Sequence, residues 1–322
     1  MIWSFSNSLL FRKCQRQWYF KTHVANANAK KIPLQREAYI LSKLQTVAAW
    51  RGSVVDHVIS RRVVPALNHG WNISLANILA YAKSVFDAQL RFARQHRLRE
   101  SDMSVAKAGD DFAAFYAVEY GTDVSDEELA QAWNDVRRAL TNLVEMRSLL
   151  ALLGTSSKLV AQRALTFPYF GVTVRAVPDL IAFFGDAAPL IVDWKVHTFG
   201  VQDYRLQLAT YAVALARCEP HKDFPLPASP YAPADVRLLE VQLLTNQQRE
   251  YTLSELDVEE IDSYIADTAT VMLLADGENG KGPPRPFDYP VTQFPETCRR
   301  CPFRAPCWED QSWQASKQIS FR

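Results

Sequence analysis

Apolar residues recur at helical spacing through the first half of the chain and at strand spacing through its middle. From residue 74 to about 95, Leu75, Ile78, Leu79, Ala82, Val85, Phe86, Leu90 and Ala93 fall on one side of a helix. A second helix opens with Ser125 and Glu128, a capping box, and carries Leu129, Trp133, Val136, Leu140 and Leu143 on one side. Residues 4–21 and about 37–58 also predict helices, the first with Ser4 or Ser6 as N-cap. Residues 65–157 therefore read as a helical block. After it the period changes. Residues 158–167, 172–184 and 190–196 are β-rich and mostly apolar, the signature of buried strands. A Gly-Asp-Ala-Ala-Pro turn at 185–189 joins the last two as a hairpin. A helix over about 201–217, a strand over 236–245 and a helix over 256–275 follow, the last with Ser254 as N-cap.

Two of these apolar runs contain charges. The run LIVDWKV at 190–196 holds Asp193 and Lys195, and the run before it holds Asp179. Side chains alternate along a strand, so Asp193 and Lys195 share a face, and the hairpin brings Asp179 beside Asp193. Two carboxylates and an ammonium on one sheet face cost several kcal/mol if unpaired, and a bound hard cation removes that cost. An internal Asp–Lys ion pair without chemistry is the plainer explanation. On the next helix Gln207 and Tyr211 stand four apart and share a face. His57 lies in the early helix, five residues after Gly52, whose place inside a helix signals close approach of another backbone or of a ligand. His197 lies on the Lys195 face as an additional candidate.

Composition narrows the setting. With 322 residues, 48% of them hydrophobic, the chain can bury a large core. No apolar run reaches membrane-spanning length and the start lacks a secretory pattern, so a cytoplasmic location is expected. The net charge of +1 conceals +9 over residues 1–64 and −8 over the remainder. That basic stretch, interleaved with Trp18, Tyr19 and Phe20, suits a polyanion, although a solvated basic face is the simpler account of charge alone. The Gly/Pro-rich loop GENGKGPPRP lacks the features of a phosphate-binding Walker loop.

The five cysteines are informative by spacing. Cys298, Cys301 and Cys307 form C-x2-C-x5-C near the C-terminus, strong for a metal centre in a chain without an export signal. Three clustered thiols with one distant partner are closer to an iron–sulfur arrangement than to a zinc ribbon. Cys14, set among basic and aromatic residues, is the candidate fourth ligand over Cys218, which ends an Ala-rich helix.

Taken in order, SFSNSLLFRKCQRQWYF, GSVVDHVI, VPDLI, VDWK, QLATY and C-x2-C-x5-C resemble the iron–sulfur-bearing, RecB-like branch of the PD-(D/E)xK nucleases, which includes CRISPR-adaptation exonucleases and the nuclease domains of AddB-type helicase–nuclease subunits. The resemblance covers most of the chain except the helical block, which is longer than in compact stand-alone members. It implies an α/β fold with a restriction-endonuclease-like αβββαβ core and a mixed central sheet, from segments 1–64 and 158–252. The helical insertion is 65–157, and the C-terminal helix and cysteine-rich segment are 253–322, all in one nuclease domain.

The resemblance further implies that His57, Asp179, Asp193 and the main-chain carbonyl of Trp194 hold Mg²⁺ or Mn²⁺, the imidazole favouring Mn²⁺. Lys195 would position or deprotonate the attacking water, or balance charge on phosphorus. Gln207 and Tyr211 would steady the nucleic acid. Cys14, Cys298, Cys301 and Cys307 would join the chain ends through a structural [4Fe–4S] cluster. The implied function is a metal-dependent DNA exonuclease acting on single strands or ends, with a helicase or other DNA-processing partner. The alternatives are a catalytically silent iron–sulfur DNA-binding or assembly subunit, and a zinc-stabilised fold with a surface Asp–Lys pair.

Overall fold

The computed structural model describes residues 1–28, 33–97, 105–121, 123–197, 204–225, 231–277 and 285–309. A two-residue strand, β1 (Ile2–Trp3), leads into α1 (Phe5–Lys13) and α2 (Gln15–Tyr19). The single helix expected over 4–21 breaks at Cys14. Its backbone is extended and its Sγ accepts from Gln17 N at 3.4 Å, capping α2, while Ser4 Oγ caps α1 by accepting from Asn7 N at 3.2 Å. A π turn, Phe20–Val24, follows; it buries Phe20 and Val24 and leaves Lys21 exposed.

The helix expected over 37–58 also divides, into α3 (Pro33–Leu41) and α4 (Val47–Val58), where Thr46 Oγ1 caps the second by accepting from Ala49 N. A second π turn, Ile59–Val63, carries α4 into α5 (Val64–Asn68). Pro65 has no N–H to continue a regular helical ladder, and the widened turn lets the chain pass it. A Cβ built on Gly52 meets no atom within 4 Å, so close approach of another part of the protein does not explain that glycine. The helical block follows as α6 (Leu75–Gln95), α7 (Val105–Ala108), α8 (Tyr116–Glu119), α9 (Asp126–Glu145) and α10 (Arg147–Gly154). Ser125 caps α9 as its sequence predicts, and Ser74 caps α6.

The first two long strands expected from hydrophobicity each divide and contribute to different sheets. The pieces are β2 (Lys158–Ala161), β3 (Leu165–Tyr169), β4 (Val172–Ala176) and β5 (Leu180–Phe184), followed by the continuous β6 (Ala187–Lys195). The remaining elements are α11 (Arg205–Arg217), β7 (Arg237–Gln242), β8 (Gln247–Tyr251), α12 (Glu255–Gly277), α13 (Pro295–Arg299) and α14 (Arg304–Glu309). The expected start of the helix at 201–203 and the core of the Gly/Pro loop, 278–284, lie outside the described residues. The central sheet has the order β2-β5-β6-β7-β8, and a smaller sheet has the order β1-β4-β3. In the central sheet β6 and β7 are parallel and the other pairs antiparallel, so the sheet is mixed. The β5–β6 turn holds Gly185 at φ 65°, a region costly for a residue with a Cβ.

The central strands are buried on both faces, which explains their near-continuous hydrophobicity. Leu180, Ala182, Leu190, Val192 and Trp194 share one core with α4, α6 and α9. Ile181, Phe183, Ile191 and Leu238 face the other way, into a core with α11, α12 and the N-terminal helices. The helical block is therefore one layer of the protein, and α11 with the smaller sheet lies on the opposite side. Among the described residues no helix is long and apolar enough to cross a membrane.

Candidate active site

Asp193 occupies the second face, at 2% exposure. The β5–β6 register runs Leu180↔Val192, and its next step sets Asp179 opposite Asp193. Asp179 Oδ2 accepts the Trp194 amide at 2.8 Å and its Oδ1 accepts Gln162 Nε2 at 3.0 Å. Asp193 is ion-paired with Lys195, two residues along the same strand face. Lys195 Nζ also donates to Gln207 Oε1 at 3.3 Å, and Gln207 Nε2 donates to the Tyr211 hydroxyl at 2.6 Å. Five residues picked from sequence thus form one network between β5, β6 and α11.

His57 does not join it. Its Nε2 lies 3.0 Å from the Tyr81 hydroxyl, the two rings stack, and the charges acting on it are those of Asp110 and Arg61. Burial pushes its pKa below the usual imidazole value. The α4 side chain that acts on the acids is the preceding residue, Asp56. Both residues line one cleft, but the Asp56 charge acts on the acids while the His57 imidazole is held by Tyr81. Asp56 is four residues after Gly52, on the same face, and that face is open at Gly52.

Three carboxylates now oppose one another. Burial, followed by the Asp193 charge, pushes Asp56 up to about 7. Burial raises Asp179 well above the usual carboxylate range, and Asp193 and Asp56 add to it. Asp193 is also raised by burial, against the lowering pull of Lys195. A fourth acid, Glu240, is Asp193's register neighbour on β7, at 1% exposure. It accepts from Gln242 Nε2 at 2.6 Å and from the Tyr251 hydroxyl at 2.7 Å. Tyr204 lies against the other end of the pair. Its ring centroid is 4.1 Å from Lys195 Nζ, and its hydroxyl is 2.7 Å from His197 Nε2. His197, expected as an accessory residue, therefore touches Tyr204.

Glu240 was legible in principle, because LLEVQLL is another apolar strand with an isolated charge. Asp56, Gln162 and Tyr204 gave no such signal; tertiary contacts assign their roles.

Concentrated carboxylates with raised pKa values are the donor chemistry of a hard cation. Their charge is relieved here in part by Lys195, Gln162 and the Trp194 amide. Among the described residues no group of three or more His, Cys, Asp or Glu side chains is arranged to hold a metal ion.

The cysteines form a separate cluster. Cys14, Cys298, Cys301 and Cys307 line one cavity between α2 and the C-terminal segment. Burial pushes the Cys301 thiol up, and charge on Cys14, Cys307 and Cys298 adds to the effect. Cys218 lies elsewhere, beside Phe224 and Tyr231. Aromatic contacts also hold the two termini together: Phe20 stacks on Phe303 and Tyr19 on Tyr289. Arg16 Nε donates to the Tyr289 carbonyl at 3.0 Å.

The profile of the PD-(D/E)XK nuclease superfamily matches residues 2–308. The chain belongs to that superfamily. Membership of this PD-(D/E)XK chain implies phosphodiester hydrolysis of nucleic acid, and such nucleases use divalent metals such as Mg²⁺ or Mn²⁺. Seven solved chains match in structure. One, described as "Crystal structure of SSO0001", is 14% identical, with a TM-score of 0.27 over 69% of this chain and 84% of that one. No curated protein sequence matches.

Proposed function

We propose that the chain is a divalent-metal-dependent deoxyribonuclease that acts on single strands or DNA ends. The observation that carries this reading is the continuous network of Asp179, Asp193, Lys195, Gln207 and Tyr211 on one sheet face. Asp179, Asp193 and the Trp194 main-chain carbonyl would hold the cation, and Asp56, whose charge acts on the same two acids, would add a further oxygen in the role that the sequence assigns to His57. An all-oxygen donor set removes the imidazole's bias toward Mn²⁺ and suits Mg²⁺ at least as well.

When bound, the cation supplies Lewis-acid polarisation of the scissile phosphate and a more acidic water. The protein's residues do the rest. Lys195, fixed by Asp193, Gln207 and the Tyr204 ring, sets a positive charge where negative charge develops on phosphorus. Gln207 holds Lys195 and Tyr211 in one arrangement. The hydrogen bonds from Gln162 and Trp194 fix the Asp179 carboxylate.

The preference for strands or ends, exonucleolytic action and a helicase partner rest on the resemblance of the motif order to the RecB-like branch. A structural [4Fe–4S] cluster on Cys14, Cys298, Cys301 and Cys307 belongs to the same reading. Its support is the lining of one cavity by all four thiols, since a cluster distributes its thiolates around several irons rather than around one ion.

The test incubates wild type and Asp193→Ala with labelled single- and double-stranded DNA in Mg²⁺, Mn²⁺ or chelator. The wild type should cut with metal and not with chelator, and the variant should be slower by at least about a hundredfold. Equal cutting by the variant, or none by the wild type in either metal, removes the assignment.

A further inference from the structure

A second cleft opens beside this network on the α11 side. It has a volume of about 350 Å³ and lies between the N-terminal residues, the end of β4 and α11, with Gln207 and Tyr211 in its wall. That volume is within the range of small-ligand sites. Its chemistry is one-sided. Lys21, from the first π turn, and Arg175, from β4, both line it, and no Asp or Glu does. Neither cation has a carboxylate partner among the described residues. Lys21 and Arg175 are both exposed at the cleft, and the neighbouring Lys43 adds to the like charge around Lys21 that an anion would relieve.

The cleft on the other side, lined by Asp56, Arg61 and Arg163, differs. There Arg163 is paired with Asp223 and Arg61 stands 3.4 Å from Asp110. Both of its arginines are thus answered by carboxylates of the protein, and Lys158 is its remaining cation.

Two further features specify the ligand. Ile2 and Phe5 give the α11-side cleft an apolar wall, and Ile2 is 55% exposed despite its place in a strand. The Tyr211 hydroxyl accepts from Gln207, and burial pushes its pKa up, so it keeps a proton to donate. Two cations, a phenol donor and an apolar wall beside the acids match a nucleotide: phosphate for the cations, base for the wall.

We propose that this cleft is the subsite for the nucleotide adjoining the scissile bond, its phosphate on Lys21 and Arg175 and its base against Ile2 and Phe5. The proposal rests on the nuclease reading for the position of the bond, and on the cleft's own residues for the ligand.

The test measures fluorescence anisotropy of a short labelled oligothymidylate on the full chain carrying Asp193→Asn, so that binding is read without cleavage. Lys21→Ala and Arg175→Ala should each weaken binding roughly tenfold. Each should also lower the slope of log affinity against log salt by about one. Lys21→Arg and Arg175→Lys should restore most of both. Phe5→Ala should weaken competition by thymidine monophosphate and leave competition by inorganic phosphate unchanged. In the Asp193 parent, KM should rise with kcat nearly constant for both alanine variants.

Unchanged affinity and salt slope in both alanine variants overturn the proposal even if the wild type cuts DNA. Equal competition by inorganic phosphate and nucleotide, indifferent to Phe5→Ala, overturns the base contact. Binding that depends on Lys21 and Arg175 in a chain that never cuts supports the cleft and removes the nuclease reading.

Discussion

Asp193 shows what a buried charge requires. At 2% exposure its carboxylate persists beside Asp179 and Glu240 because Lys195 shares its strand face. Removing a buried charge's partner generally costs about 3–5 kcal/mol, so the pair is structural as well as chemical. Asp56 is less deeply buried and makes the linkage visible. Its folded pKa of about 7 exceeds the unfolded carboxylate value, so the folded form binds the extra proton. The associated stability is present below about pH 4 and is lost as pH rises through about 7. In chelator, Asp56→Asn should therefore raise Tm by a few degrees at about pH 8 and leave it unchanged near pH 4. Calorimetric melts across that range check it; an equal shift at both ends would show that Asp56 does not titrate with the acids.

At the scale of elements, function coincides with interruptions. The strand breaks around 162–164 and 177–179 let β3 and β4 leave for the smaller sheet and release Gln162 and Asp179 from regular pairing. Gln162, at φ 51°, donates its amide to the Asp179 carbonyl at 3.1 Å and its side chain to the carboxylate. The break at Cys14 similarly turns a thiol out of a helix and toward the tail. Hydrophobic period marks where an element lies, but a break whose partner is distant in sequence leaves little periodic trace, so 158–167 and 172–184 read as single strands. On the cluster reading, Cys301→Ser should lower both iron content and Tm. Iron analysis and melting after anaerobic purification measure this, and parental values of both would exclude Cys301 as a ligand.

At the scale of the whole molecule, the helical block is not an appendage. Its α6 and α9 share a core with α4 and with Leu180, Leu190, Val192 and Trp194 of the central sheet. Trp50 Nε1 on α4 donates to Gln89 Oε1 on α6 at 2.7 Å, and the Arg51–Asp135 ion pair joins α4 to α9. Arg51 also donates to the Val196 carbonyl at 2.7 Å, just beyond the end of β6. Replacing 65–157 by a short Gly/Ser linker should therefore abolish cooperative urea unfolding. A truncated chain that unfolds at the parental midpoint would make the block a separable domain.

The sequence by itself determined the helices of the block, the Asp193–Lys195 face, the Gln207–Tyr211 pair and the C-terminal thiols. The first three depend on spacing that the geometry of a strand or helix fixes locally, and the thiols on their closeness along the chain across α13, a turn and α14. Only the tertiary structure decided that Asp56 rather than His57 meets the acids, that Glu240 stands beside Asp193, and that Lys21 and Arg175 share a cleft. Those relations join elements tens to hundreds of residues apart. Packing sets them: the way α4 lies against the sheet brings Asp56 within electrostatic reach of the acids, while His57 is held by Tyr81 on α6.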